Sequence, residues 1–129
     1  MNLLEEKKEI SNYFVNLNSF KEISVLIIKT LKFLEDKYHN IYGFLIEDTR
    51  AMCVKALQNL ADGYNKYHAE DKAKTYSKSR TNISKILSNL FLLNKLNLTK
   101  KEFVTELTKQ FNEALKSLNG LIKSMEIKI

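Results

Sequence analysis

From residue 20 onwards, apolar side chains at Ile23, Leu26, Ile27, Leu31, Leu34 and Tyr38 return every three or four positions and share one helical face. Ser19 and Glu22 just before them have the spacing of a capping box, so a first long helix is predicted from about Phe20 to Tyr38. A connection around His39, Asn40 and Gly43 follows. Beyond it, Phe44, Leu45, Thr49, Met52, Cys53, Ala56, Leu57, Leu60, Ala61 and Tyr64 repeat at helical spacing and predict a second helix, with Gly63 near its end. The polar stretch 65–71 marks a turn before a third helix. At 100° per residue, its residues Tyr76, Ile83, Leu87 and Leu90 fall within about 60° of one another, whereas Lys74, Lys78 and Lys85 cluster within about 40° on the opposite side. One face is read as core and the other as a lysine stripe. Thr99 and Glu102 again have capping-box spacing, with Leu98 and Phe103 at the positions of a hydrophobic staple. A fourth helix is predicted there, its apolar set running from Phe103 through Leu107, Ala114, Leu118 and Ile122 to Met125.

Helices of about 20 to 27 residues joined by short connections pack most simply as an all-α, up-and-down four-helix bundle. Residues 19–129 are assigned to that bundle domain and residues 1–18, with Leu3, Leu4, Ile10, Tyr13, Phe14, Val15 and Leu17, to an N-terminal lead-in helix or arm. Two segments carry more apolar surface than one core face can hide: Leu90, Phe91, Leu92 and Leu93 in the third helix, and Val25 to Ile28 in the first. Surplus of this kind predicts burial against another subunit, the alternative being cover by the arm.

Composition agrees with this class. Proline is absent and there are only 3 glycines in 129 residues, which argues against an all-β fold and leaves nothing from which to build a phosphate-binding glycine loop. No apolar run reaches the roughly 18 residues of a membrane span. Cys53 is the single cysteine, which excludes an internal disulfide and a cysteine zinc cage; with an acidic N-terminus unlike a secretory signal, a cytoplasmic location is expected. On the apolar face beside Met52, Ala56 and Leu57, that thiol is expected to be buried and neutral.

The formal charge of +6 is unevenly spread. Between Arg50 and Lys101 there are 11 basic and 3 acidic residues, a balance of +8, while the remainder carries −2. Such a field favours capture of a polyanion without reading base sequence, so nucleic acid is the first partner to expect; a lysine-rich solvated surface is the alternative. The candidate phosphate contacts are Lys74, Lys78 and Lys85, aided by Arg50, Lys55, Lys66, Lys72 and Arg80. Arg80, at the margin between the core and basic faces, suits a bidentate phosphate contact, an intersubunit ion pair or a surface salt bridge. Tyr67 is the candidate for base stacking, whereas Tyr76 is assigned to packing.

No catalytic residue, metal or cofactor is predicted. His39 and His68 lie at expected helix ends without a nucleophile at recognisable spacing and are read as surface residues. The neighbouring acids Glu35-Asp36, Glu47-Asp48 and Glu70-Asp71 diverge by about 100° on a helix, and no Glu-x-x-His motif is present.

The stretches Asn18-Ser19-Phe20-Lys21-Glu22, Leu57-Gln58-Asn59-Leu60-Ala61-Asp62-Gly63-Tyr64 and Leu118-Asn119-Gly120-Leu121-Ile122-Lys123, with the basic start of the third helix, together resemble a bacterial four-helix-bundle superfamily. Its two branches are the accessory variability determinant protein of diversity-generating retroelements and the protein encoded within intervening sequences of ribosomal RNA genes. Leu60-Ala61-Asp62-Gly63-Tyr64 is similar to the ribosomal branch. The passage 94–101 and the ending Gly120-Leu121-Ile122-Lys123 look more like the retroelement branch, towards which the chain leans. The resemblance implies a basic homopentamer of bundles that binds RNA, DNA or an RNA–DNA hybrid with little sequence preference. In the retroelement branch it also implies association with the reverse transcriptase and template RNA in mutagenic complementary-DNA synthesis. A structural interaction module that binds no nucleic acid is the competing expectation.

Overall fold

The computed structural model describes residues 14–127, in which every regular element is helical. A 3-10 turn, Phe14–Asn16, leads into four helices: α1 (Asn18–Leu34), α2 (Gly43–Asn65), α3 (Ala69–Lys95) and α4 (Lys101–Ile127). Of the lead-in arm expected over residues 1–18, residues 1–13 lie outside the described residues. Each helix packs against its neighbours in chain order and α1 closes against α4, with the diagonal pairs apart, as in an up-and-down four-helix bundle. The core is built from Ile23, Ile27 and Leu34 of α1, Cys53 and Leu60 of α2, Tyr76, Ile83, Ile86 and Leu90 of α3, and Phe111 and Leu118 of α4, all buried.

The α2–α3 pair is the most extensive interface, and it is not purely apolar. Ser79 Oγ donates to the Ala56 carbonyl (2.8 Å), Asn59 Nδ2 to Asn82 Oδ1 (2.7 Å) and Asn89 Nδ2 to Asp48 Oδ2 (2.8 Å). These rungs fix the antiparallel register, because sliding either helix by one residue would leave partly buried amides unpaired. Close approach at the far end needs Gly63: a Cβ there would lie 2.7 Å from two ring carbons of Tyr76.

Helix ends differ from the sequence expectation. α1 begins two residues before Phe20, with Leu17 in the N-cap position, no side-chain cap bond and Ser19 buried inside the first turn. The chain enters directly from the 3-10 turn, whose Phe14 ring meets Phe20 edge-on at 4.8 Å, so the Ser19–Glu22 box is not made. α1 stops at Leu34 rather than Tyr38 because the Arg50 guanidinium of α2 bonds to the Leu34 and Glu35 carbonyls. The expected Thr99 cap is not made either: its Oγ1 is buried without a partner and α4 starts at Lys101. Instead α3 closes on Asn97, at φ 61, with Leu98 N donating to Leu93 O and Asn97 N to Asn94 O, both at 2.9 Å. That is a Schellman closure with asparagine in its left-handed position.

Candidate nucleic-acid interface

The stripe on α3 is where the angular count puts it: Lys74, Lys78 and Lys85 are exposed along the outer face. On α2, Lys55 is exposed and Lys66 half-buried. The register of Ala56 on Ser79, Asn59 on Asn82 and Asp48 on Asn89 sets Lys55 between the levels of Lys78 and Lys85. α3 carries no acidic residue after Asp71, and α2 none between Asp48 and Asp62. The middle of the α2–α3 face is therefore purely cationic, with the acids gathered at its two ends. Lys55, Lys78 and Lys85 form no ion pair among the described residues.

The other candidates divide into two groups. Lys66 pairs with Asp62 (3.6 Å) and Lys74 with Glu70 (3.3 Å), both one helical turn apart and at the surface, where such pairs contribute about 0–1 kcal/mol and exchange readily for a phosphate. Arg80 donates to Asn119 Oδ1 of α4 at 3.0 Å and faces the α3–α4 margin, away from Lys55. Arg50 and Lys72 serve the fold. Arg50 ties Glu47 to the C-terminus of α1, and Lys72 Nζ donates to the Gly63 and Tyr64 carbonyls at the C-terminus of α2 while lying over the Tyr64 ring, 5.4 Å from its centroid. A cation there satisfies orphan carbonyls and complements the helix dipole, which sequence spacing did not reveal because donor and helix end belong to different elements.

Among the aromatics, Tyr67 is 91% exposed in the α2–α3 turn and touches His68 edge-on (5.0 Å), while Tyr76 is buried. Phe44, expected in the core, is 64% exposed on the α2–α3 face; Ile46 takes the core position in the first turn of α2. His39 is not a bare surface ring: it is half-buried, and its Nδ1 accepts from the backbone N–H groups of Ile41 (3.1 Å) and Tyr42 (3.0 Å), holding the loop into α2. Burial pushes the Cys53 thiol up to about 12, an inert group rather than a nucleophile. Tyr76 is also pushed up to about 12, by burial first and by Tyr64 second.

Two further surface features are defined by the packing. The α1–α4 seam carries depressions of about 440 Å³ beside the stacked Phe33 and Phe103 rings (3.9 Å apart) and about 370 Å³ beside Val25 and Ala114. Val25 and Ile28 of α1 are half-exposed, as are Phe91 and Leu92 of α3. Among the described residues no cluster of three His, Cys, Asp or Glu side chains is placed to hold a metal, and no helix is long and apolar enough to cross a membrane. No protein-family model and no curated protein matches the chain.

Proposed function

We propose that this chain is a non-catalytic nucleic-acid-binding protein whose α2–α3 face grips a phosphate backbone through Lys55, Lys78 and Lys85, with Lys66 and Lys74 joining as their surface ion pairs open. The observation that carries the reading is the acid-free cationic centre shared by two adjacent helices. Three exposed ammonium groups without ion pairs among the described residues, spaced along two helices, suit a flexible, repeating anion better than a compact one, and contacts to phosphates alone carry no base preference. Arg80, bonded to Asn119 on the α3–α4 margin, stands apart from this grip.

The resemblance in sequence adds a context: an accessory subunit of a diversity-generating retroelement, holding template RNA or its complementary DNA beside a reverse transcriptase, as a homopentamer. The half-exposed Val25, which lines one depression of the α1–α4 seam, and the half-exposed Ile28, one turn further along α1, supply apolar surface for that self-association. Five copies would repeat the cationic face around one assembly.

Fluorescence anisotropy with a labelled oligouridylate at low salt tests the reading. The wild-type chain binds, and the variant combining Lys55→Glu, Lys78→Glu and Lys85→Glu loses at least tenfold in affinity while circular dichroism shows unchanged helix content. Equal affinity of the variant and the wild type would overturn the assignment of this face. No binding by the wild type would favour the interaction module.

A further inference from the structure

We propose that Phe44 is a stacking platform for an unpaired base, which makes single-stranded nucleic acid rather than duplex the substrate class of the α2–α3 face; this rests on the binding reading above. Phe44 starts α2 on the same helical stripe as Lys55, because eleven residues are close to three full turns, and the ring lies about 16 Å along the axis from that lysine. Opposite it, Leu92 of α3 is 42% exposed and shares the outer stripe with Lys85, seven residues earlier. The cationic centre thus ends at Asp48, whose carboxylate is engaged by Asn89, and the apolar, ring-bearing platform lies one helical turn beyond it.

The ring is also held from behind. Tyr42 lies 6.4 Å from Phe44, and His39 stacks on Tyr42 at 5.2 Å with 29° between the planes. The two backbone bonds to His39 Nδ1 pin the first of these rings to the loop. Phe44 itself is 64% exposed, so its ring is open to solvent away from Tyr42. An open aromatic face on a braced base, within a short span of unpaired ammonium groups, is the combination that sequence-tolerant single-strand binders use: phosphates are tracked electrostatically while bases stack. A duplex keeps its base faces covered by their neighbours and offers nothing to such a ring. Tyr67 at the opposite end has only the edge of His68 beside it and neighbours three acids, Asp62, Glu70 and Asp71, against the two beside Phe44, Glu47 and Asp48, which Arg50 and Asn89 engage.

The test compares the full chain, Phe44→Ala, Phe44→Trp and the triple lysine variant on an oligouridylate and on an RNA duplex of the same length. Phe44→Ala should lose about tenfold on the single strand and less than twofold on the duplex. The chain has no native tryptophan, so Phe44→Trp introduces a lone reporter that should keep its affinity and be quenched as the single strand saturates it. Unchanged single-strand affinity of Phe44→Ala, an equal loss on both ligands, or an unquenched tryptophan at saturation overturns the proposal even when the lysine variant loses binding. If Phe44→Ala alters only the sedimentation coefficient, the ring is a protein contact and the proposal fails. If the wild type binds neither ligand, or the lysine variant binds both as the wild type does, the parent reading falls and takes this one with it.

Discussion

Gly63 and Gly120 both sit inside helices, yet the same substitution has opposite consequences at the two positions. At Gly63 an added methyl meets the Tyr76 ring at 2.7 Å in a packed interface, so Gly63→Ala should cost about 1–3 kcal/mol. At Gly120 it meets nothing within 4 Å, so Gly120→Ala gains helix propensity and should stabilise by about 0.5–1 kcal/mol, raising Tm by roughly 2–5 °C. Thermal melts of the two variants check both signs. Cys53 and Tyr76 set a pH limit. Each ionises more easily unfolded, at the ordinary values of 9.0 and 10.0, than folded, at about 12. Both groups therefore contribute stability that is fully present below pH 9 and is lost as the pH rises towards 12, because the unfolded chain releases those protons first. Denaturant melts should show the midpoint falling across that window, and thiol reagents at pH 8 should label Cys53 only as the chain unfolds. The buried, neutral thiol was legible in the sequence from its apolar neighbours. The close approach of Tyr76 to Gly63 was not, since it depends on how α3 lies against α2 rather than on either residue's own spacing.

Along each element, helix interiors and the α2–α3 turn were legible, whereas the bonds that cap the helix ends were not. Three-and-four periodicity reports which face is buried, and the lysine stripe of α3 follows from it directly. The end of α1 is met by Arg50, a cation 16 residues away from the carbonyl it bonds, so no local motif announces it, whereas the end of α2 at Asn65 falls where Gly63 and the polar stretch 65–71 put it, with Lys72 bonding its last carbonyls. Local motifs also misled: Ser19 is buried within α1, and Thr99 Oγ1 has no hydrogen-bond partner. Thr99→Val is therefore expected to be neutral or slightly stabilising in urea melts, whereas a working N-cap would lose about 1 kcal/mol on the same change. At Asn97, the left-handed residue that closes α3, Asn97→Gly should be tolerated and Asn97→Val should cost about 1–2 kcal/mol. Phe44 marks the limit of periodicity in another way: its place at the start of α2 puts it within reach of the helical count but outside the packed layer, where Ile46 takes the core position.

At the scale of the molecule, the bundle distributes its surfaces by helix pair. The α2–α3 side joins a polar, register-fixing interface to a cationic exterior, while the α1–α4 seam carries depressions, one of them lined by Val25, with the half-exposed Ile28 one turn further along α1. One side suits a polyanion and the other suits a further protomer, and the two uses do not compete for the same residues. Self-association through the α1–α4 side predicts that Val25→Lys with Ile28→Lys shifts sedimentation to a smaller species with the helix content unchanged. The overall arrangement was readable from four amphipathic segments and short connections. The acids that engage Lys66 and Lys74 lie four residues before them and were legible as same-helix pairs, but the level of Lys55 between Lys78 and Lys85 was not, because it depends on the α2–α3 register. The most direct measurement is the salt dependence of oligouridylate binding between about 50 and 200 mM. The three lysine–phosphate contacts of the centre predict a slope of log K against log salt near −2 for each protomer, approaching about −3.5 as Lys66 and Lys74 join, and becoming shallower by about 2 when Lys55, Lys78 and Lys85 are changed to Glu. A wild-type affinity that does not respond to salt, or a slope unchanged in the triple variant, would contradict the account.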